Sequence, residues 1–106
     1  MYDDDDLNLL FDAALEWGEN LGRPLIEWTR EYWPEWDGAT QTTVAAYIDS
    51  VRSAIKSYIW DAYKSTDGTV QKVQIMEWIV SQYPWMTTDN AAHAYSQGMF
   101  YAWYGG

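Results

Sequence analysis

Thr43-Val44-Ala45-Ala46-Tyr47-Ile48-Asp49-Ser50-Val51-Arg52-Ser53-Ala54-Ile55-Lys56-Ser57-Tyr58-Ile59-Trp60-Asp61-Ala62 runs without a glycine or a proline. Its apolar residues Val44, Tyr47, Ile48, Val51, Ile55, Tyr58, Ile59 and Ala62 recur in steps of three and four. Each residue turns an α-helix by about 100°, so those steps gather the side chains into one stripe. Thr40 or Thr42 is the expected N-cap, and Ser65-Thr66-Asp67-Gly68 supplies a stop. A long helix with one apolar stripe is the element around which the rest is expected to pack.

Working outward toward the N-terminus, Leu7, Leu10, Phe11, Ala14 and Leu15 repeat the same spacing. Asp3, Asp4, Asp5 and Asp6 precede them, where the helix dipole favours negative charge. Gly18 and Gly22 mark the end of that helix, and Pro24 suits the first turn of another reaching about Trp33. Pro34 stops it, because a residue before proline is pushed out of the α region. Asp37-Gly38 reads as a turn.

Toward the C-terminus, Thr69 is the expected start of a fourth helix with Val73, Met76, Ile79, Val80 and Tyr83 on one face, residues 69–72 being alternatively a brief extended stretch. Pro84 ends it. Thr87 or Thr88 then caps a fifth helix carrying Asp89, Ala91, Ala92, Tyr95, Met99, Ala102 and Trp103. No segment alternates with period two, so the fold class is all-α, a compact bundle of about five helices. Ile26-Glu27-Trp28, Tyr32, Pro34 and Trp36 are echoed about fifty residues later by Met76-Glu77-Trp78, Tyr83, Pro84 and Trp85. Two duplicated helix-turn-helix hairpins would produce that echo, and so would a tryptophan-rich chain that ends its helices at prolines.

At 106 residues, with 48% hydrophobic and 18% aromatic composition, residues 1–106 are expected to form a single all-α domain with enough apolar surface to fold unaided. Cysteine is absent, which excludes disulfides, thiolate metal sites and cysteine nucleophiles. The start of the chain lacks the pattern of a signal peptide, and no window approaches about eighteen consecutive apolar residues. A cytoplasmic setting is the default expectation.

Charge is distributed unevenly. Residues 1–37 carry eleven carboxylates against Arg23 and Arg30, whereas residues 38–106 carry five against four bases, within a net charge of −10. Such a field repels nucleic acid and membrane surfaces and attracts basic protein surfaces. The candidate partner-binding residues are Asp3, Asp4, Asp5, Asp6, Asp12, Glu16, Glu19, Glu27, Glu31 and Glu35, with Trp33 and Trp36 as aromatic anchors. Glu16 with Glu19 and Glu27 with Glu31 place like charges at helical spacing, a small cost that Arg23 and Arg30 are placed to relieve.

Chemistry has little to build on. His93 is the sole histidine, and no glycine-flanked serine elbow or phosphate-binding loop occurs. The consecutive aspartates lack the alternation and glycine of a calcium loop. The sequence therefore predicts no catalytic, cofactor-binding or metal-binding residues, and no enzyme.

Val73 to Tyr104 resembles the DNA-binding helix-turn-helix family in outline: an apolar helix, a short turn at Pro84, a capped second helix. The resemblance implies that Thr88, Asn90, His93 and Gln97 would face bases, yet Lys72 is the last basic residue of the chain. An alternative nucleic-acid contact is Arg52, Lys56, Trp60 and Lys72, with Tyr63 on the same helix as the first three, where bases and aromatics interleave. Asp49 and Asp61 flank it.

The leading expectation is thus a non-enzymatic acidic protein-binding module, an inhibitor of the phage or mobile-element type. It would mimic nucleic acid or block a site on a nucleic-acid-binding protein, without contacting nucleic acid or membrane itself. The alternatives are a helix-turn-helix regulatory domain, with a homodimer formed through its aromatic C-terminal helix, and a structural assembly subunit.

Overall fold

A computed structural model describes residues 2–15, 23–67 and 69–104. Five α-helices follow one another: α1 (Asp4–Ala14), α2 (Leu25–Tyr32), α3 (Gly38–Ser65), α4 (Lys72–Gln82) and α5 (Thr88–Trp103). No strand occurs among the described residues, and the fold is all-α. Gly18, Gly22 and Gly68, expected to end helices, lie outside the described residues.

The chain divides into two units, Met1–Arg52 and Ser53–Gly106, and α3 runs through the boundary. In the first unit, α1 opens with a reciprocal cap: the Asp6 N–H donates to Asp3 Oδ1 at 2.9 Å and the Asp3 N–H to Asp6 Oδ2 at 3.2 Å. Its inner face buries Leu7, Leu10, Phe11 and Ala14, and it packs against α2. Leu25, Trp28 and Thr29 of α2 join Val44, Ile48 and Val51 of α3 in the core. Thr29 is fully buried at no polar cost, because its Oγ1 donates to the Leu25 carbonyl at 2.8 Å. The Arg52 guanidinium donates to the Ala14 carbonyl at 3.1 Å, placing positive charge at the carbonyl end of α1.

The second unit contains the C-terminal part of α3, α4 and α5. Ile55 and Ile59 of α3, Ile75 and Ile79 of α4, and Ala91, Ala94 and Ala102 of α5 form its core. Small residues let α5 come close to α3: a Cβ added at Gly98 would run into Ile59 Cδ1. Tyr58 stacks on Trp78 with ring centroids 3.9 Å apart. Asp67 ends α3 with φ 54°, a left-handed conformation that Asp tolerates better than most residues.

The same turn geometry occurs in each unit. Trp33 and Tyr83, each followed by proline, close α2 and α4 with φ/ψ of −133°/65° and −130°/74°. Their N–H groups donate to Thr29 and Ile79 carbonyls at 2.9 and 2.8 Å. Trp36 and Met86 then donate back to the Trp33 and Tyr83 carbonyls at 3.1 and 2.9 Å. Asp37 and Thr87 cap the next helix, accepting from Thr40 N–H at 2.7 Å and Asn90 N–H at 3.2 Å. The echo in the sequence coincides with this repeated turn, but its register differs: Trp33 corresponds to Tyr83 and Trp36 to Met86, not to Trp85.

Several local expectations are corrected. The cap of α3 is Asp37 rather than Thr40 or Thr42, because a carboxylate just past the proline turn already reaches the Thr40 amide. Pro24 precedes α2 as its N-cap, and α4 begins at Lys72 rather than Thr69. Val73 and Val80 are exposed, because α4 turns Ile75 and Ile79 inward, in register with Leu25 and Thr29 of α2. On α5 the bulky Trp103 faces solvent and Ala91, Ala94 and Gly98 face inward, since the close approach at Ile59 leaves room only for small side chains. Tyr47, expected on the buried stripe of α3, is exposed.

Candidate functional site

The unit Met1–Arg52 carries twelve carboxylates and three arginines, a net −9, while Ser53–Gly106 carries four carboxylates and three lysines, a net −1. The charge asymmetry therefore follows the structural division. Asp4, Asp5, Asp12, Glu27, Glu31 and Glu35 are all exposed. Asp5, Leu9 and Asp12, spaced four and three residues apart, form the outer face of α1 opposite its buried stripe.

The candidate carboxylates differ in what else they do. Asp3 and Asp6 are engaged in the α1 cap. Glu27 and Glu31 share Arg23, whose Nε lies 3.6 Å from Glu27 and whose Nη1 lies 2.8 Å from Glu31. The hydrogen bond to Glu31 is the main cause of a pKa for Arg23 above its ordinary value. The same guanidinium lies 4.3 Å from the Trp28 ring centre. Asp4, Asp5, Asp12 and Glu35 are exposed and take no part in the α1 cap or the Arg23 bridges. Glu16 and Glu19 lie outside the described residues.

The two tryptophan anchors separate. Trp33 is only 8% exposed and stacks on Trp36 at 4.4 Å with the planes 4° apart. It supports Trp36 from inside, and its carbonyl accepts from the buried Gln41 side chain at 3.0 Å. Trp36 is half-buried and meets Tyr2 at 6.2 Å. Tyr2, Trp36, Asp37, Ala39, Thr40 and Thr43 line a surface cavity of about 490 Å³. The sequence reading gives Tyr2 no role and takes Asp37 with Gly38 as a turn, outside the candidate carboxylates. The signal available was the aromatic-Pro-x-Trp-Asp run before a helix, in which Asp37 is a cap that carries a full charge.

The alternative nucleic-acid contacts fall in both units. Arg52 belongs to the first, where it bonds the Ala14 carbonyl and Asp49, the latter at 2.7 Å. In the second unit each lysine lies against a ring: Lys56 at 4.3 Å from Tyr101, Lys64 at 5.1 Å from Trp60 and Lys72 at 5.8 Å from Tyr95. Lys56, Trp60 and Tyr101 line a hollow of about 350 Å³ with Ser53 and Ser57.

No family model, curated protein or solved structure matches this chain. Among the residues that the helix-turn-helix resemblance would aim at bases, Asn90 and Gln97 are buried within the second unit, which leaves Thr88 exposed and His93 half-buried. A recognition helix needs such side chains outward, with basic groups beside them to neutralise phosphate. Among the described residues no group of three or more His, Asp or Glu is arranged to hold a metal ion, and no helix is long and apolar enough to cross a membrane.

Proposed function

We propose that this protein is a non-enzymatic binding module that docks its acidic first unit on a basic protein surface, the carboxylates occupying a site that would otherwise hold nucleic-acid phosphates. Such small acidic blockers are typical of phage and mobile-element inhibitors. The observation that carries the reading is the charge of −9 confined to Met1–Arg52 beside −1 in Ser53–Gly106. General acidity, selected for solubility alone, has no reason to respect a structural boundary. Asp4, Asp5, Asp12 and Glu35 are the residues proposed to present it, and Trp36 the aromatic anchor within it.

The test uses a short arginine–serine peptide as the basic surface and isothermal calorimetry at low and moderate salt. D4N/D5N/D12N/E35Q leaves the Asp3–Asp6 cap and the Arg23 bridges in place. That variant is expected to lose about tenfold in affinity, while D61N/D67N/E77Q in the second unit changes it by less than about twofold. Equal losses in the two variants would mean that only net charge matters, and would overturn the reading.

A further inference from the structure

The cavity between Tyr2 and Trp36 combines three kinds of chemistry. Trp36 is held from behind by its stack on buried Trp33, so the indole is fixed before any ligand arrives. Tyr2, 39% exposed, adds a second ring tilted 54° to the first. Asp37 adds a carboxylate whose Oδ1 accepts the Thr40 N–H, an arrangement that leaves further acceptor capacity on the group. The same hydrogen bond keeps the Asp37 pKa below its ordinary value, so the group is ionised at neutral pH. The start of α3 contributes only about half a positive charge, less than the carboxylate beside it.

The repeated turn in the second unit serves as an internal control. There the counterpart of Trp36 is Met86, which is buried, and the counterpart of Asp37 is Thr87, which caps α5 through its hydroxyl. The turn therefore requires neither an indole at the position of Trp36 nor a charge at that of Asp37. At these two positions the first unit, with net charge −9, carries both, and they line one cavity, whereas the half-buried indole of the second turn is Trp85, at the position of Glu35.

We infer that the Tyr2–Trp36–Asp37 cavity receives an arginine side chain of the basic partner, with its guanidinium against the rings and bonded to the Asp37 carboxylate. This deepens the proposed docking function and rests on it. A planar guanidinium suits the site better than an ammonium, because it stacks on aromatic faces while its edge donates to a carboxylate. The volume accommodates one such side chain and the backbone that carries it.

The test follows the Trp36 indole N–H in ¹H–¹⁵N spectra, assigned through W36F, during titration with a blocked Gly-Arg-Gly peptide and its citrulline counterpart. The arginine peptide is expected to shift that resonance saturably, and the uncharged citrulline peptide to leave it in place. D37S keeps a side-chain cap while removing the charge, and is expected to abolish the shift. Y2A, at a half-exposed position, is expected to weaken binding about fivefold, and it needs no assumption about the cap. Equal response to citrulline, or a Trp36 resonance that does not move, overturns the inference. If the arginine–serine peptide still binds through Asp4, Asp5, Asp12 and Glu35 while Trp36 is silent, the docking function survives and the arginine pocket does not. If D4N/D5N/D12N/E35Q keeps its affinity for that peptide while Trp36 responds to Gly-Arg-Gly, the pocket stands and the acidic docking face falls.

Discussion

The two units of this chain turn by the same aromatic-proline device and then diverge in what surrounds it. Phe11, Leu10, Leu15, Ile48, Val44 and Val51 in the first unit are fully buried; in the second, the comparable large side chains among the described residues are Ile55, Ile59 and Ile79. Alanines and a glycine on α5 complete the second core. The first unit caps its third helix with a carboxylate and the second caps α5 with a hydroxyl. Shared turn geometry with different charge separates what the fold needs from what it does not. A cap is needed at Asp37; a negative charge there is not.

The largest expected break in the comparison is at the core. Phe11→Ala should cost about 3–5 kcal/mol in urea unfolding, since a fully buried aromatic side chain is lost and a cavity is left in its place. Ile79→Ala should cost about 2–4 kcal/mol, less because a smaller side chain is removed. A second-unit loss exceeding the first would reverse the ranking of the two cores.

Glycines sharpen it next. Gly38, at the open start of α3, has nothing within 4 Å of an added Cβ, whereas at Gly98 that atom would meet the enclosed Ile59. Gly98→Ala should destabilise by about 1 kcal/mol or more, because Ile59 is fully buried and has little room to turn aside. Gly38→Ala should be neutral or stabilising by a few tenths of a kcal/mol, roughly as helix propensity dictates. Thermal melts of the two variants check the opposite signs.

Exchanging the caps gives a smaller, pH-dependent effect. Asp37 has a pKa below its ordinary 3.8, caused first by the Thr40 backbone hydrogen bond. It therefore stabilises the folded chain above the ordinary carboxylate range, and that contribution is lost as pH falls below about 4 through the lowered pKa. Asp37→Thr should retain most of the neutral-pH stability and flatten the acid side of the profile. Thr87→Asp should steepen it. Helical circular dichroism followed from pH 7 to about pH 2 distinguishes them. Smallest of all, Asp67→Gly should stabilise by a few tenths of a kcal/mol, since glycine meets no Cβ penalty at the left-handed position.

The helices themselves were legible because Val44, Ile48, Val51, Ile55 and Ile59 leave only one helical face for burial, and Pro34 and Pro84 leave little choice about where helices end. Facing was harder on α4 and α5. With Val73, Ile75, Met76, Ile79 and Val80 all apolar, periodicity could not select a side, and on α5 the decisive constraint was the space at Gly98, which depends on Ile59 in a different helix. At the candidate site, acidic composition located the charge in the first unit but could not tell capping Asp3 and Asp6 from Asp4 and Asp5 outside the cap. Trp33 and Trp36 look alike in sequence, yet one supports the other.

The central claim is that the first unit is the docking surface. The most direct measurement is a ¹H–¹⁵N amide shift map during titration with the arginine–serine peptide at about 150 mM salt, where loose long-range attraction is screened beyond about 8 Å. The account predicts saturable shifts concentrated in residues 2–15 and 23–52, strongest around Tyr2, Asp5, Glu35 and Trp36. Shifts spread evenly over both units, or centred on residues 53–104, would contradict it.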